Sequence, residues 1–142
     1  MKPTVRAISY VIYNKDKTKF LAVKRPSNDK YLPDMWGLSA GTVKANETSE
    51  EAVLRSGIQK LGVILKIVKE LNKGESERDN HFLHMKLYEA EITEGKPKVP
   101  QQAERVTQYQ EWKWAEPDSL KKGAAKGSLP SQLYLKSLDI EW

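Results

Sequence analysis

The sequence predicts a single α+β domain with several strands and one central helix. Short segments rich in β-branched and aromatic residues alternate with polar connections that carry Gly and Pro, which is typical of strands joined by turns. One longer amphipathic segment, between residues 46 and 62, carries helix start and stop signals. At roughly 100–200 residues per domain, the 142 residues predict one domain over 1–142.

The charge balance is basic, because 24 Lys and Arg residues against 19 Asp and Glu residues give a net charge of +5. A basic surface concentrates phosphates and other anions, so an anionic ligand is favoured. The lysines are scattered and no RNA-recognition or zinc-finger signature accompanies them, so no specific nucleic acid is indicated. No apolar run approaches the roughly 20 residues of a membrane helix, and no signal peptide is recognisable. We therefore expect a cytoplasmic protein without a membrane partner.

The absence of cysteine excludes thiol catalysis, disulfides and cysteine-based zinc sites. The two histidines, His81 and His84, are three residues apart in a predicted strand, so they face opposite sides of the sheet. They are not expected to bind one metal ion together.

The N-terminal half is predicted to contain a hairpin, a loop and a short apolar segment. β-Branched and aromatic residues predict strands over 4–13 and 20–24, with a polar turn over 14–19. Two prolines and several turn residues predict a loop over 26–34, which leads into the apolar segment 35–40.

The strongest helix signal follows this segment. Asn46 can serve as the N-cap, and acidic residues follow it near the positive end of the helix dipole. The helix is expected to run to about Leu61, where Gly62 is a natural stop.

The C-terminal half is predicted to hold three strands, two polar connections and two short helices. The strands are expected over 64–71, 82–92 and 109–114, the connections over 73–80 and 94–100, and the helices over 117–122 and about 131–138.

One segment, residues 41–63, carries a chemical motif. A glycine, a glutamate six residues on, an arginine eight residues after that, and a later Gly-apolar pair fall at Gly41, Glu47, Arg55, Gly62 and Val63. This spacing resembles the Nudix box, a loop–helix–loop, and the resemblance to the Nudix hydrolase family (MutT-like) extends over about residues 4–122. It implies a Nudix fold, an α/β/α sandwich in which a mixed sheet lies between helices. It also implies a cleft for nucleoside-diphosphate-linked ligands and hydrolysis that depends on Mg²⁺ or Mn²⁺.

The sequence departs from the family where the box helix should supply metal ligands. The family has Glu-apolar-x-Glu-Glu after the arginine, whereas this chain has Ser56-Gly57-Ile58-Gln59-Lys60. Divalent cations prefer anionic oxygen ligands, so we expect no metal at Ser56, Gln59 and Lys60 and no bound cofactor. Mg²⁺ or Mn²⁺ is expected only if other carboxylates have replaced these ligands.

A helical wheel at about 100° per residue predicts two faces for this helix. The face expected to pack on the core consists of Val53, Leu54, Ile58 and Leu61, and the face expected at a cleft or in solvent consists of Ala52, Ser56, Gln59 and Lys60. Gly57 replaces an apolar core residue at a cost of roughly 1 kcal/mol in helix propensity relative to alanine. It predicts either a weakly constrained helix or a slight bend.

The candidate site residues follow from this resemblance. The ligand-binding candidates are Arg25, Trp36, Gly41, Arg55 and Lys60, and the carboxylates considered for catalysis are Glu47, Glu51, Glu104 and Glu111. Glu47 and Arg55 are about two helical turns apart, so an ion pair that holds the box in shape is expected. Glu47 and Glu51 could alternatively form a displaced metal site. Lys60 is interpreted either as a surface lysine or as a cation that contacts a diphosphate in place of the metal.

Three functions remain open from the sequence. The first is a Nudix-family protein that binds a small anionic ligand, a nucleoside diphosphate derivative, with weak or no hydrolysis. The second is an active metal-dependent nucleotide pyrophosphohydrolase, and the third is a protein-interaction module on a Nudix fold. A homodimer is possible in each case. Ligand specificity is expected to come from the loops 26–34 and 73–80.

Overall fold

The computed structural model describes residues 2–142, which form seven strands and three α-helices. The strands are β1 Thr4–Ile12, β2 Phe20–Lys24, β3 Trp36–Gly37, β4 Ser39–Thr42, β5 Ile64–Glu77, β6 Phe82–Glu94 and β7 Glu111–Ala115. The α-helices are α1 Ser49–Ser56, α2 Lys121–Ala125 and α3 Leu129–Ser137. A π-helical turn, Gly57–Leu61, continues α1, and a 3₁₀ turn, Pro117–Leu120, precedes α2.

The strands form two sheets. The larger sheet has the order β4-β1-β6-β5, in which β1 and β6 are parallel and the other pairs are antiparallel. The smaller sheet has the order β3-β2-β7 and is antiparallel throughout. The predicted mixed sheet flanked by helices is therefore confirmed. No helix within residues 2–142 is long and apolar enough to cross a membrane.

The two faces of β1 belong to two different cores because successive side chains of a strand point to opposite sides. Ala7 and Val11 join the cluster that α2 and α3 cover, whereas Ile8, Tyr10 and Ile12 join the cluster that includes residues of α1. The helices thus lie on both sides of the larger sheet.

The hairpin β5–β6 is longer than predicted. The connection expected over 73–80 is strand as far as Glu77, and only a tight turn around 78–81 joins β5 to β6. The polar residues of this stretch misled the prediction, because at an edge strand their side chains are exposed or pair across the hairpin. His84 and Glu75, for example, lie opposite each other, and His84 Nδ1 is 2.9 Å from Glu75 Oε1.

The start of the box helix is two residues later than predicted. Thr48 is the N-cap: its hydroxyl accepts from the Glu51 N–H at 3.1 Å, and the Glu51 carboxylate accepts from the Thr48 N–H at 2.9 Å. This reciprocal arrangement is a capping box. The expectation that Asn46 caps the helix was wrong, because Asn46 has a φ of +65° and belongs to the preceding turn.

The predicted faces of the box helix were also partly wrong. Val53 and Leu61 are buried as expected, but Leu54 and Ile58 are 37% and 55% exposed. Besides Val53 and Leu61, the face that packs inwards includes smaller side chains and the lysine, namely Ser49, Ala52, Ser56, Gly57 and Lys60. The wheel was centred on the largest apolar residues, whereas the helix approaches the sheet through its small ones.

Gly57 allows this close approach. A Cβ at Gly57 would lie 2.6 Å from Leu65 Cδ1 and 2.8 Å from Leu65 Cγ, so only glycine fits the observed packing. Gly57 also begins the π-helical turn, which ends as predicted at Gly62, whose φ of +69° is left-handed. The sequence predicted either a weakly constrained helix or a slight bend at Gly57, and the structure supports a local change of helix geometry.

Candidate functional site

The ion pair predicted between Glu47 and Arg55 is present. Arg55 Nε donates to Glu47 Oε2 at 2.8 Å, and Arg55 Nη2 donates to Glu47 Oε1 at 2.9 Å and to the Thr42 carbonyl at 2.7 Å. The Lys44 N–H also donates to Glu47 Oε1 at 3.0 Å. These bonds tie the end of β4 and the following loop to α1.

This pair commits the Glu47 carboxylate to its structural partners. The hydrogen bonds from Arg55 lower the pKa of Glu47 to about 2, with a further contribution from the Lys44 N–H. The same contact raises the pKa of Arg55. A carboxylate that is held by a bidentate guanidinium has little capacity left for a cation.

Ser56 lies at the floor of the site in a buried hydroxyl network. Ser56 Oγ is 2.9 Å from the Tyr10 hydroxyl, and Ser39 Oγ is 2.7 Å from the Tyr10 hydroxyl and 3.2 Å from the Tyr109 hydroxyl. Gly41 lies beside this network, since a Cβ there would be 3.5 Å from Ser56 Oγ. Burial raises the pKa of Tyr10, so its hydroxyl stays protonated.

Lys60 is buried, so its interpretation as a surface lysine was wrong. It is 8% exposed, its Nζ donates to the Ala40 carbonyl, and it lies 5.3 Å from the centre of the Tyr109 ring. The Ala40 N–H donates to the Tyr109 hydroxyl at 3.0 Å. Burial alone would raise the pKa of Tyr109, but the Lys60 charge together with hydrogen bonds from Ser39 and Ala40 lowers it. Lys60 and Tyr109 therefore cover the free edge of β4.

One cleft opens between β4, the box helix and the loop before β7. We call it the box cleft; it has a volume of about 420 Å³ and is lined by Gly41, Thr42, Lys44, Arg55, Ser56, Gln59, Lys60, Glu104, Arg105, Val106 and Thr107. Gln59 connects two of its walls: its side-chain oxygen accepts from Arg55 Nη1 at 3.1 Å, and its carbonyl accepts from Gln108 Nε2 at 3.1 Å. Glu104 is the acidic residue in the lining.

A second cavity is lined in part by Ala40 of β4. We call it the Arg25 pocket; it has a volume of about 300 Å³, and its lining includes Arg25, Ala40, Arg78, His81, Leu83, Met85 and Lys126. Arg25 is oriented by Asp29, whose Oδ2 accepts from Nε at 3.0 Å and from Nη2 at 2.7 Å. The two cavities have no lining residue in common, but Ala40, which lines the Arg25 pocket, accepts a hydrogen bond from Lys60, which lines the box cleft.

Most of the remaining candidate site residues lie outside the box cleft. Trp36 lies outside both cavities, packed against the core with Lys113 Nζ 4.1 Å from its ring centre. Glu51 is used in the capping box, and Glu111 is 3.4 Å from Lys24 Nζ at the start of β7. Of the four candidate carboxylates, only Glu104 lines the box cleft.

Several residues of the site were missed by sequence reasoning. Tyr10 and Tyr109 lie within predicted strands and resemble core residues, and Lys126 belongs to a turn that is remote in sequence. Arg78 lies in the segment 73–80 that was expected to determine specificity, but it was not singled out. Arg105 gave no local signal. The family motif identifies the helix, but it does not report which distant loops close around it.

The residues at the family's metal-ligand positions do not fit a divalent cation. The Gln59 oxygen is used by Arg55, the Ser56 hydroxyl is neutral and engaged by Tyr10, and Lys60 brings a positive charge. Repulsion of a cation by Lys60 at about 4 Å amounts to several kcal/mol at an effective dielectric near 20. Among the described residues 2–142, no group of three or more His, Asp or Glu side chains is arranged to hold a metal ion.

The mixed sheet between helices, with a loop–helix–loop at its edge, defines a protein of the Nudix fold. The NUDIX domain model matches residues 3–133, and the chain therefore belongs to the Nudix family. No curated protein matches the chain significantly.

Solved structures show the same architecture at low sequence identity. The MutT protein from Methanosarcina mazei Go1 superposes with a TM-score of 0.72 at 14% identity, over 97% of this chain and 92% of that one. A NUDIX hydrolase from Nitrosomonas europaea gives a TM-score of 0.72 at 13% identity, over 97% of this chain and 87% of that one. An Ap4A hydrolase from C. elegans gives a TM-score of 0.68 at 20% identity, over 95% of each chain.

Proposed function

We propose that this protein binds a small nucleoside-diphosphate-linked ligand without a metal ion and hydrolyses it weakly or not at all. The observation that carries the proposal is Lys60, a buried ammonium at a position where the family has a carboxylate. An ammonium at this place can contact a diphosphate as a point charge. It does not bind a divalent cation.

The two cavities support this ligand class. The Arg25 pocket combines apolar side chains such as Leu83 and Met85 with the cations Arg25, Arg78 and Lys126. An apolar floor suits a nucleoside, and the cations suit its phosphates. A diphosphate that leaves this pocket beside Arg25 reaches Lys60 across the edge of β4. Proteins of similar structure include a UDP-X diphosphatase and an Ap4A hydrolase.

The bound phosphates would lack the groups that promote attack by water. In the family reaction, metal ions activate the nucleophile and neutralise developing charge. Here Lys60 and Arg25 would bind and orient the diphosphate, while Tyr10 and Ser56 hold one another in the floor. Binding in this form favours retention of the ligand over its cleavage.

An active hydrolase is the second candidate, because Glu104 faces the box cleft and is free of any ion pair among residues 2–142. In that case Glu104 would have to recruit Mg²⁺ or Mn²⁺ together with phosphate oxygens of the ligand. This candidate predicts turnover that depends on the metal.

Titration calorimetry with ADP-ribose in the presence of EDTA tests the proposal. Wild-type protein is expected to bind, and Lys60→Gln is expected to bind about tenfold more weakly, equivalent to 1.4 kcal/mol. Lys122→Gln, an exposed lysine of α2 outside both cavities, is the matched control and is expected to bind like wild type.

The same protein is then given Mn²⁺ and the nucleotide is followed by chromatography. Binding that requires Mn²⁺, or cleavage at a rate proportional to enzyme, would contradict the proposal and favour the hydrolase that uses Glu104. Absence of binding with and without Mn²⁺, across a panel of nucleoside diphosphate derivatives, would instead favour the interaction module.

A further inference from the structure

We propose that a cavity beside the C-terminal half of α3 binds a small zwitterion of the α-amino acid class, with Glu89 as the partner of its ammonium group. We call this cavity the Glu89 pocket. It has a volume of about 400 Å³, and besides Glu89 its lining includes Tyr13, Lys17, Lys19, Pro117, Tyr134 and Leu138. The proposal is independent of nucleotide binding, because among residues 2–142 no residue lines both this pocket and either the Arg25 pocket or the box cleft.

The Glu89 pocket and the Arg25 pocket lie at opposite ends of α3. Leu129 and Pro130, at the start of the helix, line the Arg25 pocket, whereas Tyr134 and Leu138 line the Glu89 pocket. The helix has nine residues, so its ends are about 13 Å apart at about 1.5 Å per residue. The two cavities are therefore separate sites.

The burial of Glu89 is the first argument. Met85, Leu87 and Glu89 occupy every second position of β6, so Glu89 lies on the face of the strand that α3 covers. It is 8% exposed, and within residues 2–142 its carboxylate has one charged neighbour, Lys17, and accepts no hydrogen bond. Buried carboxylates are normally hydrogen-bonded. Because no side-chain oxygen without a partner is sealed from solvent in the described residues, the Glu89 oxygens must face the cavity.

The contact with Lys17 shows which chemical group this carboxylate attracts. Lys17 Nζ lies 3.7 Å from Glu89 Oε2, which is beyond hydrogen-bond distance, and the Lys17 side chain is 72% exposed. A long side chain that remains mostly in solvent contributes little through such a pair. A ligand ammonium that approaches to about 2.8 Å would donate charge-assisted hydrogen bonds. It can therefore displace Lys17 from the carboxylate.

Two tyrosine hydroxyls add further acceptors to the ammonium site. The hydroxyl oxygens of Tyr13 and Tyr134 are 2.9 Å apart, and both residues line the pocket with Glu89. Burial raises the pKa of Tyr134, with contributions from Tyr13 and Glu89, so this hydroxyl stays protonated. Two hydroxyls that share one hydrogen bond keep unused lone pairs. Together with the carboxylate they can accept the three donors of a primary ammonium.

The remaining charges of the pocket favour a ligand that also carries a carboxylate. Lys17 loses its acidic partner when a ligand ammonium takes Glu89, and Lys19 forms no ion pair with any residue in 2–142. A simple amine would leave both lysines beside another cation, whereas a carboxylate would give them a partner. An α-amino acid carries the two groups on one carbon. Pro117 and Leu138 supply an apolar wall for its side chain, so an aliphatic amino acid is expected.

The turn that carries the two lysines is held in place by its own hydrogen bonds. The Asn14 carbonyl accepts from the Lys17 N–H at 3.0 Å, and the Asn14 side-chain oxygen accepts from the Lys19 N–H at 3.0 Å. Thr18 Oγ1 donates to Asp16 Oδ1 at 2.6 Å. The lysines therefore project from a preformed turn at the rim of the pocket, and only their side chains need to move when a ligand binds.

NMR titration of isotope-labelled protein with L-leucine tests the proposal. The backbone amide resonances of residues 13–20 and 88–91 are expected to shift, whereas those of residues 25–32 and 126–128, at the Arg25 pocket, should not. L-Leucinamide keeps the ammonium and lacks the carboxylate, and isocaproate keeps the carboxylate and lacks the ammonium. Each is expected to bind at least about tenfold more weakly than L-leucine.

Two variants assign the charges. Glu89→Gln should weaken L-leucine binding at least about tenfold, and Glu94→Gln, an exposed carboxylate at the end of the same strand, is the matched control and should bind like wild type. Lys17→Gln should weaken L-leucine. It should leave L-leucinamide unchanged or strengthen it, because Lys17 then no longer competes for Glu89. A merely structural role for Lys17 would weaken both ligands by the same factor.

Three results would overturn the proposal. They are absence of shifts at this pocket with L-leucine and with every other common amino acid, equal affinities for L-leucine and L-leucinamide, and L-leucine binding that Glu89→Gln leaves unchanged. The melting temperature of Glu89→Gln shows whether this variant is folded. If it is not, the comparison of the three ligands on the wild-type protein decides. None of these results depends on whether a nucleotide binds.

Discussion

At the scale of single residues, the charged side chains of the site fall into two groups: those that form an ion pair within the protein and those that do not. Glu47 and Arg55 neutralise each other and hold the loop before α1, whereas Lys44, Lys60 and Arg105 have no carboxylate partner among residues 2–142. The first group is structural, and we propose that the second binds the ligand. Nothing in the motif distinguishes these two groups, because both consist of ordinary Lys, Arg and Glu residues.

Glu47→Gln is expected to destabilise the protein at pH 7 by about 1–2 kcal/mol, because the variant lacks the charge-assisted hydrogen bonds of the carboxylate. Partial exposure of the Glu47 side chain limits the size of this loss. The pKa of Glu47 is lowered from 4.5 to about 2 by folding. A lowered pKa contributes stability that is present above the unfolded value and lost as the pH falls towards the folded one. The difference in unfolding free energy between wild type and variant should therefore shrink between about pH 5 and 2.

Urea denaturation at several pH values measures this difference. Glu104→Gln, a carboxylate without an ion pair within residues 2–142, is the control and should show no such trend. A constant difference over the whole range would show that the ion pair does not stabilise the fold.

At the scale of elements, the box helix shows what sequence could predict and what it could not. The segment, its end at Gly62 and the Glu47–Arg55 contact were predictable, because caps, glycine and residue spacing act locally. The burial of Lys60 and the exposure of Ile58 were not, because they depend on how closely the helix approaches the sheet. That distance is set by Gly57 against Leu65, two residues whose contact no pattern indicates.

Gly57→Ala should destabilise the protein by about 1–3 kcal/mol through overpacking, although alanine favours a helix by about 1 kcal/mol. The reason is the 2.6 Å approach of an added Cβ to Leu65. Leu65→Ala removes the clashing atoms, so the double variant should be more stable than the sum of the single changes predicts. Gly123→Ala is the matched control, since its Cβ would lie 3.4 Å from Met35 Cγ at the nearest.

Thermal or chemical unfolding of the four variants measures the coupling. If Gly57→Ala is as stable as Gly123→Ala, or if its effect simply adds to that of Leu65→Ala, the close packing of the π-helical turn is not the reason for the glycine.

At the scale of the whole molecule, the two cavities arise from segments that are far apart in sequence. Composition indicated an anionic ligand, and the family resemblance indicated the fold and the position of the helix. The Arg25 pocket, however, needs the β5–β6 turn and the α2–α3 connection, and the box cleft needs the loop before β7. Only the tertiary structure brings these cations together around Ala40.

Because positive charges surround both cavities, nucleotide affinity should depend on salt. Raising NaCl from about 50 to 300 mM should weaken ADP binding by about three- to tenfold, since ions screen exposed charges over roughly 10 Å or less. Adenosine, which is uncharged, should bind with an affinity that changes little. Calorimetry at several salt concentrations measures both, and an ADP affinity independent of salt would contradict an electrostatic contribution from these cations.

The parallel pairing of β1 with β6 has a consequence for how the chain folds. Thr4 lies opposite Phe82, so the central pair of the larger sheet joins residues 78 positions apart. The β5–β6 hairpin is local and can form early, whereas closing so long a loop is entropically costly and slow. During synthesis β1 can pair with β4, since Ala7 lies opposite Thr42, but it must wait for β6 until residues beyond 82 have left the ribosome. We therefore expect the pairing of β1 with β6, which completes the larger sheet, to form after the hairpin.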